Sequence, residues 1–145
     1  MADHTDQSGS ALQAVQSGSA LQAVQSGSAL QAVSNAMVRL HKEQFGRGPT
    51  SSRAFFAGPD ALMCVLRDAL LPAELKMVEL GSADRVRDSR VAFQAATHDE
   101  FVAAVEEILD RKVVAFASAV DPATNVVFEN FVFQSRDGEH AAPSD

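Results

Sequence analysis

From Leu30 to Phe45 apolar side chains return every three or four residues, and the pattern then runs into Gly46-Arg47-Gly48-Pro49. Leu30, Val33, Met37, Leu40 and the Gln44/Phe45 pair therefore stack on one face of a helix, with Arg39, Lys42 and Glu43 on the solvent side. Gly46 suits the position after the last turn, because glycine enters the left-handed backbone region without a side-chain penalty. Pro49 forbids continuation and biases Gly48 toward an extended conformation. A helix that stops so abruptly must hand over to an extended segment, which sets the start of everything downstream. Arg47 stands between two hinge glycines. There it can hydrogen-bond the last helical carbonyls, or offer its planar fork to an anion or an acidic partner.

Upstream, Gln7-Ser8-Gly9-Ser10-Ala11-Leu12-Gln13-Ala14-Val15 recurs unchanged at 16–24 and 25–33. Nine residues at about 100° each turn a helix through about 900°, half a turn out of phase. Leu12 and Leu30 thus share a face while Leu21 points the other way, and only the third copy is in phase with Met37 and Leu40. Each copy also carries Ser-x-x-Gln (Ser10/Gln13, Ser19/Gln22, Ser28/Gln31) and an internal glycine, which restart a helix rather than extend it. Such complete identity points to recent duplication, because stacked repeats diverge and differ at their caps. Residues 1–27 are therefore expected to be a disordered or frayed tail, the third copy continuing to 33. Residues 28–134 are expected to form a single domain and 135–145 a second disordered tail.

Within the domain, 52–57 and 61–67 read as strands joined by Gly58-Pro59-Asp60, the second apolar on both faces and hence central. Phe55, Phe56, Met63 and Val65 are core candidates. Pro72 suits the first turn of a helix over 72–80, with Glu74 near its positive end. Ser82 can cap a helix that runs to Ala96, and Thr97-His98-Asp99-Glu100 signals a bend and a fresh start. Phe101, Val102, Val105, Ile108 and Leu109 form the apolar face of that last helix, and Arg111 and Lys112 close it where cations are welcome. Two further strands, 113–120 and 126–134, make a second hairpin. The order α-ββ-αα(α)-ββ implies an α+β fold: an antiparallel sheet of about four strands, from two β-hairpins, with helices on one face.

Composition excludes several functions. A net charge of −7 and a pI near 5.0 argue against a nucleic-acid binder and against charge-driven attachment to an anionic membrane. No apolar run approaches the ~20 residues that span a bilayer, so direct membrane insertion is not expected. Nor does a signal peptide open the chain, so a cytoplasmic location is expected. Cys64 stands alone in an apolar run and reads as a buried, inert thiol without disulfide or zinc chemistry. Among His4, His41, His98 and His140 no pair has metal-ligand spacing, and no nucleophile elbow, P-loop or dinucleotide fingerprint is present. Neither cofactor, metal nor catalytic residue is expected.

What remains is cationic. Arg87, Arg90 and Gln94 lie three and four apart on one helical face. With Arg47, Arg53 and the half-buried His41 they are the candidates for an anion- or partner-binding surface. The plainer alternative pairs the helical arginines with Asp84 and Asp88 and packs His41 against the core.

Ser34-Asn35-Ala36-Met37-Val38-Arg39-Leu40-His41-Lys42-Glu43-Gln44-Phe45-Gly46-Arg47-Gly48-Pro49-Thr50 resembles the opening signature of the MpsC family, named for a component of a sodium-translocating, membrane-potential-generating system. The resemblance continues through Val65-Leu66-Arg67-Asp68, Leu71-Pro72-Ala73-Glu74, Val86 to Gln94, Glu100 to Glu106, Arg111 to Phe116 and the last strand. Leu71 departs from it, since members usually place Thr or Ser there, and the N-terminal repeat has no counterpart. The resemblance implies a soluble, non-enzymatic accessory to a membrane ion or inorganic-carbon transport system. It would sit at the membrane only through a protein partner, such as a transport-complex subunit. A small-anion or nucleotide sensor using the same arginines, as a homodimer, is the alternative.

Overall fold

The computed structural model describes residues 7–136, with side chains from Gln25 onward. Its elements are α1 (Gln7–Phe45), β1 (Ser51–Phe56), β2 (Ala61–Arg67), α2 (Pro72–Glu79), α3 (Ala83–Leu109), β3 (Val113–Asp121) and β4 (Val126–Phe133). The strands form one sheet in the order β1-β2-β4-β3, every neighbouring pair antiparallel. The two hairpins are thus joined through β2 and β4, and the expected α+β architecture is the one observed.

Strand alternation divides the sheet into two unlike faces. Leu62, Cys64 and Leu66 of β2 and Val127, Phe131 and Phe133 of β4 point to the helices and are buried. They meet Val33, Met37 and Leu40 from α1 and Phe101 and Val105 from α3. Phe101, Phe116 and Phe131 stack in sequence, with ring centroids 5.6 and 4.7 Å apart. Ser34 Oγ donates to the Ser52 carbonyl at 2.8 Å, which anchors α1 over the edge strand β1.

The opposite face carries no helix among the described residues. Register puts Arg53, Val65, Phe128 and Ala119 in one row across it, and Phe55, Met63, Asn130 and Ala117 in the next. Phe55, Met63 and Val65 are therefore not core residues as expected; Phe55 is 38 % exposed. Hydrophobicity alone could not decide which face of an apolar strand the helices would take. Phe56, at the end of β1, is likewise exposed.

Three local expectations also change. The backbone is helical from Gln7, through the stretch expected as a disordered or frayed tail. A capping box starts a helix only where amide hydrogens are free; in a running helix they are already bonded four residues back. Alanine, leucine and glutamine around each glycine favour continuation. Among the residues whose side chains are described, 25–28 are exposed and Leu30 packs on the core. The outer parts of the expected tails, 1–6 and 137–145 with His4 and His140, lie outside the described residues.

α3 is a single helix without the fresh start expected at Thr97. Thr97 Oγ1 donates to the Phe93 carbonyl at 2.8 Å, four residues back, so its hydroxyl serves the helix interior. The glycines flanking Arg47 are fixed points rather than hinges. Gly46 has φ +79° and donates its amide to the Lys42 carbonyl at 2.8 Å. Gly48 presses on α1, where a Cβ would lie 3.2 Å from the Val38 carbonyl oxygen.

The two faces predict unequal mutational costs. Leu66→Ala, on the helix-covered face, should destabilise the fold by about 2–5 kcal/mol in urea denaturation. Val132→Ala, on the uncovered face, should cost less than about 1 kcal/mol in the isolated chain. Equal losses would refute this assignment of faces.

Candidate functional site

Polar side chains interrupt the core where α1 and α3 cross the β3–β4 side of the sheet. Register places Ser118 opposite Glu129, both pointing to the helices. Glu129 is only 2 % exposed. One of its oxygens lies 3.0 Å from His41 Nε2, and the other accepts the Ser118 hydroxyl. A carboxylate only accepts hydrogen bonds, so a hydrogen on His41 Nε2 closes this contact. His41 also meets Phe45 and Phe101, at 5.6 and 5.8 Å between ring centroids. The α1 stripe thus buries His41 rather than half exposing it.

Arg90 is the second buried polar group. Its Nε donates to Glu74 at 2.8 Å and its Nη2 to the other oxygen of the same carboxylate, a two-pronged pair. Nη2 also reaches the Ala69 carbonyl at 3.2 Å, and the guanidinium lies 3.7 Å over the Phe45 ring. Glu74 in turn accepts the Leu71 amide hydrogen at 2.9 Å. That contact is half of a capping box, and it serves α2 although Leu71 has no side-chain oxygen to offer. Burial pushes the Glu74 carboxyl up, but hydrogen bonds from Arg90 and Leu71 and the nearby Arg90 charge outweigh it and hold it below its ordinary value. Cys64 goes the other way: burial, and then the charge of Glu129, push its thiol up to about 12. It is an inert core residue.

Between these groups runs a cleft of ≈ 400 Å³ including its mouth, lined in part by His41, Gln44, Arg90, Gln94, Ser118 and Glu129. It is narrow: the centre of a water-sized sphere fits in only ≈ 20 Å³ of it. Its apolar walls include Phe45, Phe93, Phe101 and Phe116. Among the described residues, three buried nitrogens lack a hydrogen-bond partner: His41 Nδ1, Gln44 Nε2 and Arg90 Nη1.

The structure gathers three of the six expected site residues, His41, Arg90 and Gln94, around this cleft. The other three lie elsewhere. Arg47 donates to Asp68 and to the Leu70 carbonyl, both at 2.9 Å, so it neither caps α1 nor reaches outward. Asn125 completes that clasp, donating to Asp68 at 3.1 Å and accepting the Leu70 amide at 2.9 Å. Arg87 is exposed and paired with Asp84 at 2.8 Å, as the plainer alternative holds. Arg53 projects from the uncovered sheet face. Arg111 likewise serves as a tie rather than a helix terminator, donating to Asp60 and to the Pro59 carbonyl at 2.8 Å.

Glu129, Ser118, Asp68 and Asn125 were not singled out from sequence. Glu129 did leave a signal. Adjacent polar residues Glu129-Asn130 inside an otherwise apolar strand require one of them to face inward. Among the described residues, no group of three or more His, Cys, Asp or Glu is placed to hold a metal ion.

Arg90→Ala should destabilise the fold by about 1.5–3 kcal/mol in urea denaturation, because the partly buried Glu74 is left without its charged hydrogen-bond donor. Loss below 1 kcal/mol would deny Arg90 this role. Glu74 ionises more readily folded than unfolded, so its stabilisation is full above its ordinary value of 4.5 and is lost as pH falls through its lowered folded value. Glu74→Gln should therefore flatten the acid limb of stability against pH. An unchanged acid limb would contradict the assignment.

A sequence model of the MpsC family, described as a Na+-translocating membrane potential-generating system, matches residues 25–135. Searches of curated proteins and of solved structures return no match. Among the described residues no helix is long and apolar enough to cross a membrane. The family match begins at the third nonapeptide copy and takes in all four strands, α2, α3 and the packed part of α1, so the chain belongs to the MpsC family.

Proposed function

We propose that this chain is a non-enzymatic accessory protein of a sodium-translocating, membrane-potential-generating system. On this reading it is cytoplasmic and joins the membrane through a protein partner, a subunit of the transport complex. The family match over residues 25–135 carries the reading. The buried polar groups support binding or scaffolding over covalent chemistry. Ser118 gives its hydroxyl hydrogen to Glu129, whose other oxygen is tied to His41, and among the described residues no hydrogen bond joins the hydroxyl to the imidazole as in a serine–histidine pair. Arg90 is neutralised by a two-pronged carboxylate. A tagged full-length chain should enrich an ion-transport subunit from detergent-solubilised membranes, identified by mass spectrometry. No enrichment of any such subunit over a tag-only control would sink the accessory reading.

A second reading, a small-anion or nucleotide sensor, is favoured by the three unpartnered nitrogens beside the cleft. Arg90 Nη1 and Gln44 Nε2 can only donate, so a ligand there must accept hydrogen bonds. The narrowness of the cleft favours a small acceptor over a nucleotide. Calorimetry should give heat with a small inorganic anion such as phosphate and none with nucleotides. Silence with both would remove the sensor reading.

A further inference from the structure

The uncovered sheet face is asymmetric in a way that matches itself. On the β1–β2 side it is bulky, with Phe55, Met63 and Val65. On the β3 side it is a shelf of exposed alanines, Ala115, Ala117 and Ala119. Charge follows the same division. Arg53 and Arg67 stand on β1 and β2, both exposed and without an ion-pair partner among the described residues. Asp121 stands at the far end of the row that Arg67 shares with Ser51 and Val126.

We propose that this face is covered by a second copy of the chain, related by a two-fold axis parallel to the strands. Such an axis, passing between β2 and β4, lays β1 of one copy over β3 of the other and keeps each row at its own level. Phe55 then falls on Ala117 of the second copy, and Val65 on its Phe128, so bulky residues meet small or flat ones. Arg67 is one strand spacing, ~4.8 Å, to the side of the second copy's Asp121. Arg53 sits over Ala119, two residues along the strand from the same carboxylate. A two-fold across the strands would instead set Arg53 against Phe55 and one alanine shelf against the other. That arrangement leaves the arginines unpaired and a void along β3.

The area suits a stable dimer. Four strands at ~4.8 Å and about seven residues at ~3.4 Å give a face of roughly 19 by 24 Å. Two such faces bury on the order of 1,000–1,500 Å² once side-chain relief is counted, within the range of specific interfaces. Aligned sheets of this kind pack ~10 Å apart at about −30°. The contact is isologous, the same patch serving both copies. It is independent of both the accessory and the sensor readings.

Sedimentation velocity of the full chain tests it. Wild type should sediment as a dimer. Arg53→Asp/Arg67→Asp and Asp121→Lys should each weaken self-association by on the order of tenfold or more, and the two sets combined should restore it. Ala117→Phe, exposed in the monomer, should block the seat of Phe55 and give a folded monomer by circular dichroism. A wild type that stays monomeric at every concentration would overturn the proposal. So would a dimer indifferent to all of these variants.

Discussion

The guanidinium of Arg90 holds together parts of the chain that share little else. It projects from α3, takes both oxygens of Glu74 on α2, reaches the Ala69 carbonyl in the β2–α2 connection and lies over Phe45 at the end of α1. A buried charge is costly unless it is paired and its hydrogen bonds are filled. The helical layer therefore has few ways to close over this residue. Glu74 must be brought to it, which sets α2, and Phe45 must lie flat beneath it, which sets where α1 stops. The glycine turn at Gly46 and the close approach of Gly48 to Val38 then send the chain into β1.

The cleft follows from that closure. Arg90 forms one wall, and the Ser118–Glu129–His41 line forms the other. Each wall is tied together by hydrogen bonds within the protein. Of the nitrogens left over, Arg90 Nη1 and Gln44 Nε2 are donors at the edge of a narrow apolar space, suited to recognition. On the other side of the sheet the physical problem is reversed: apolar strands face outward with no helix among the described residues to cover them. An antiparallel sheet tolerates one solvated face when that face is polar. Here Phe55, Val65, Phe128 and Val132 occupy it, and the proposed dimer, self-complementary in bulk and charge, would cover them.

Much of this was legible in the chain. The helix ending at Gly46, the two hairpins, the α+β order and the family signature were all readable from spacing, punctuation and residue identity. The misreadings share one cause, that a local pattern does not say which neighbour will arrive. Arg87 and Arg90 are three residues apart on one helix, yet one meets solvent and Asp84 while the other is buried against α2. Met63 and Val65 are as apolar as Leu62 and Leu66, and only pairing to β4 under a single helical layer separates them. Thr97-His98-Asp99-Glu100 has the letters of a helix start, but Thr97 bonds backward to Phe93 and the helix runs on. Glu129 and Ser118 become a site only once register sets them side by side.

A double-mutant cycle between Arg90 and Glu74, followed by urea denaturation, tests most directly whether this one pair organises the helical layer. If it does, Arg90→Met and Glu74→Gln are strongly non-additive, with a coupling toward the upper end of the roughly 0.5–3 kcal/mol range for residues in direct contact. Additivity within about 0.3 kcal/mol would mean that the layer closes without them, and would contradict the account.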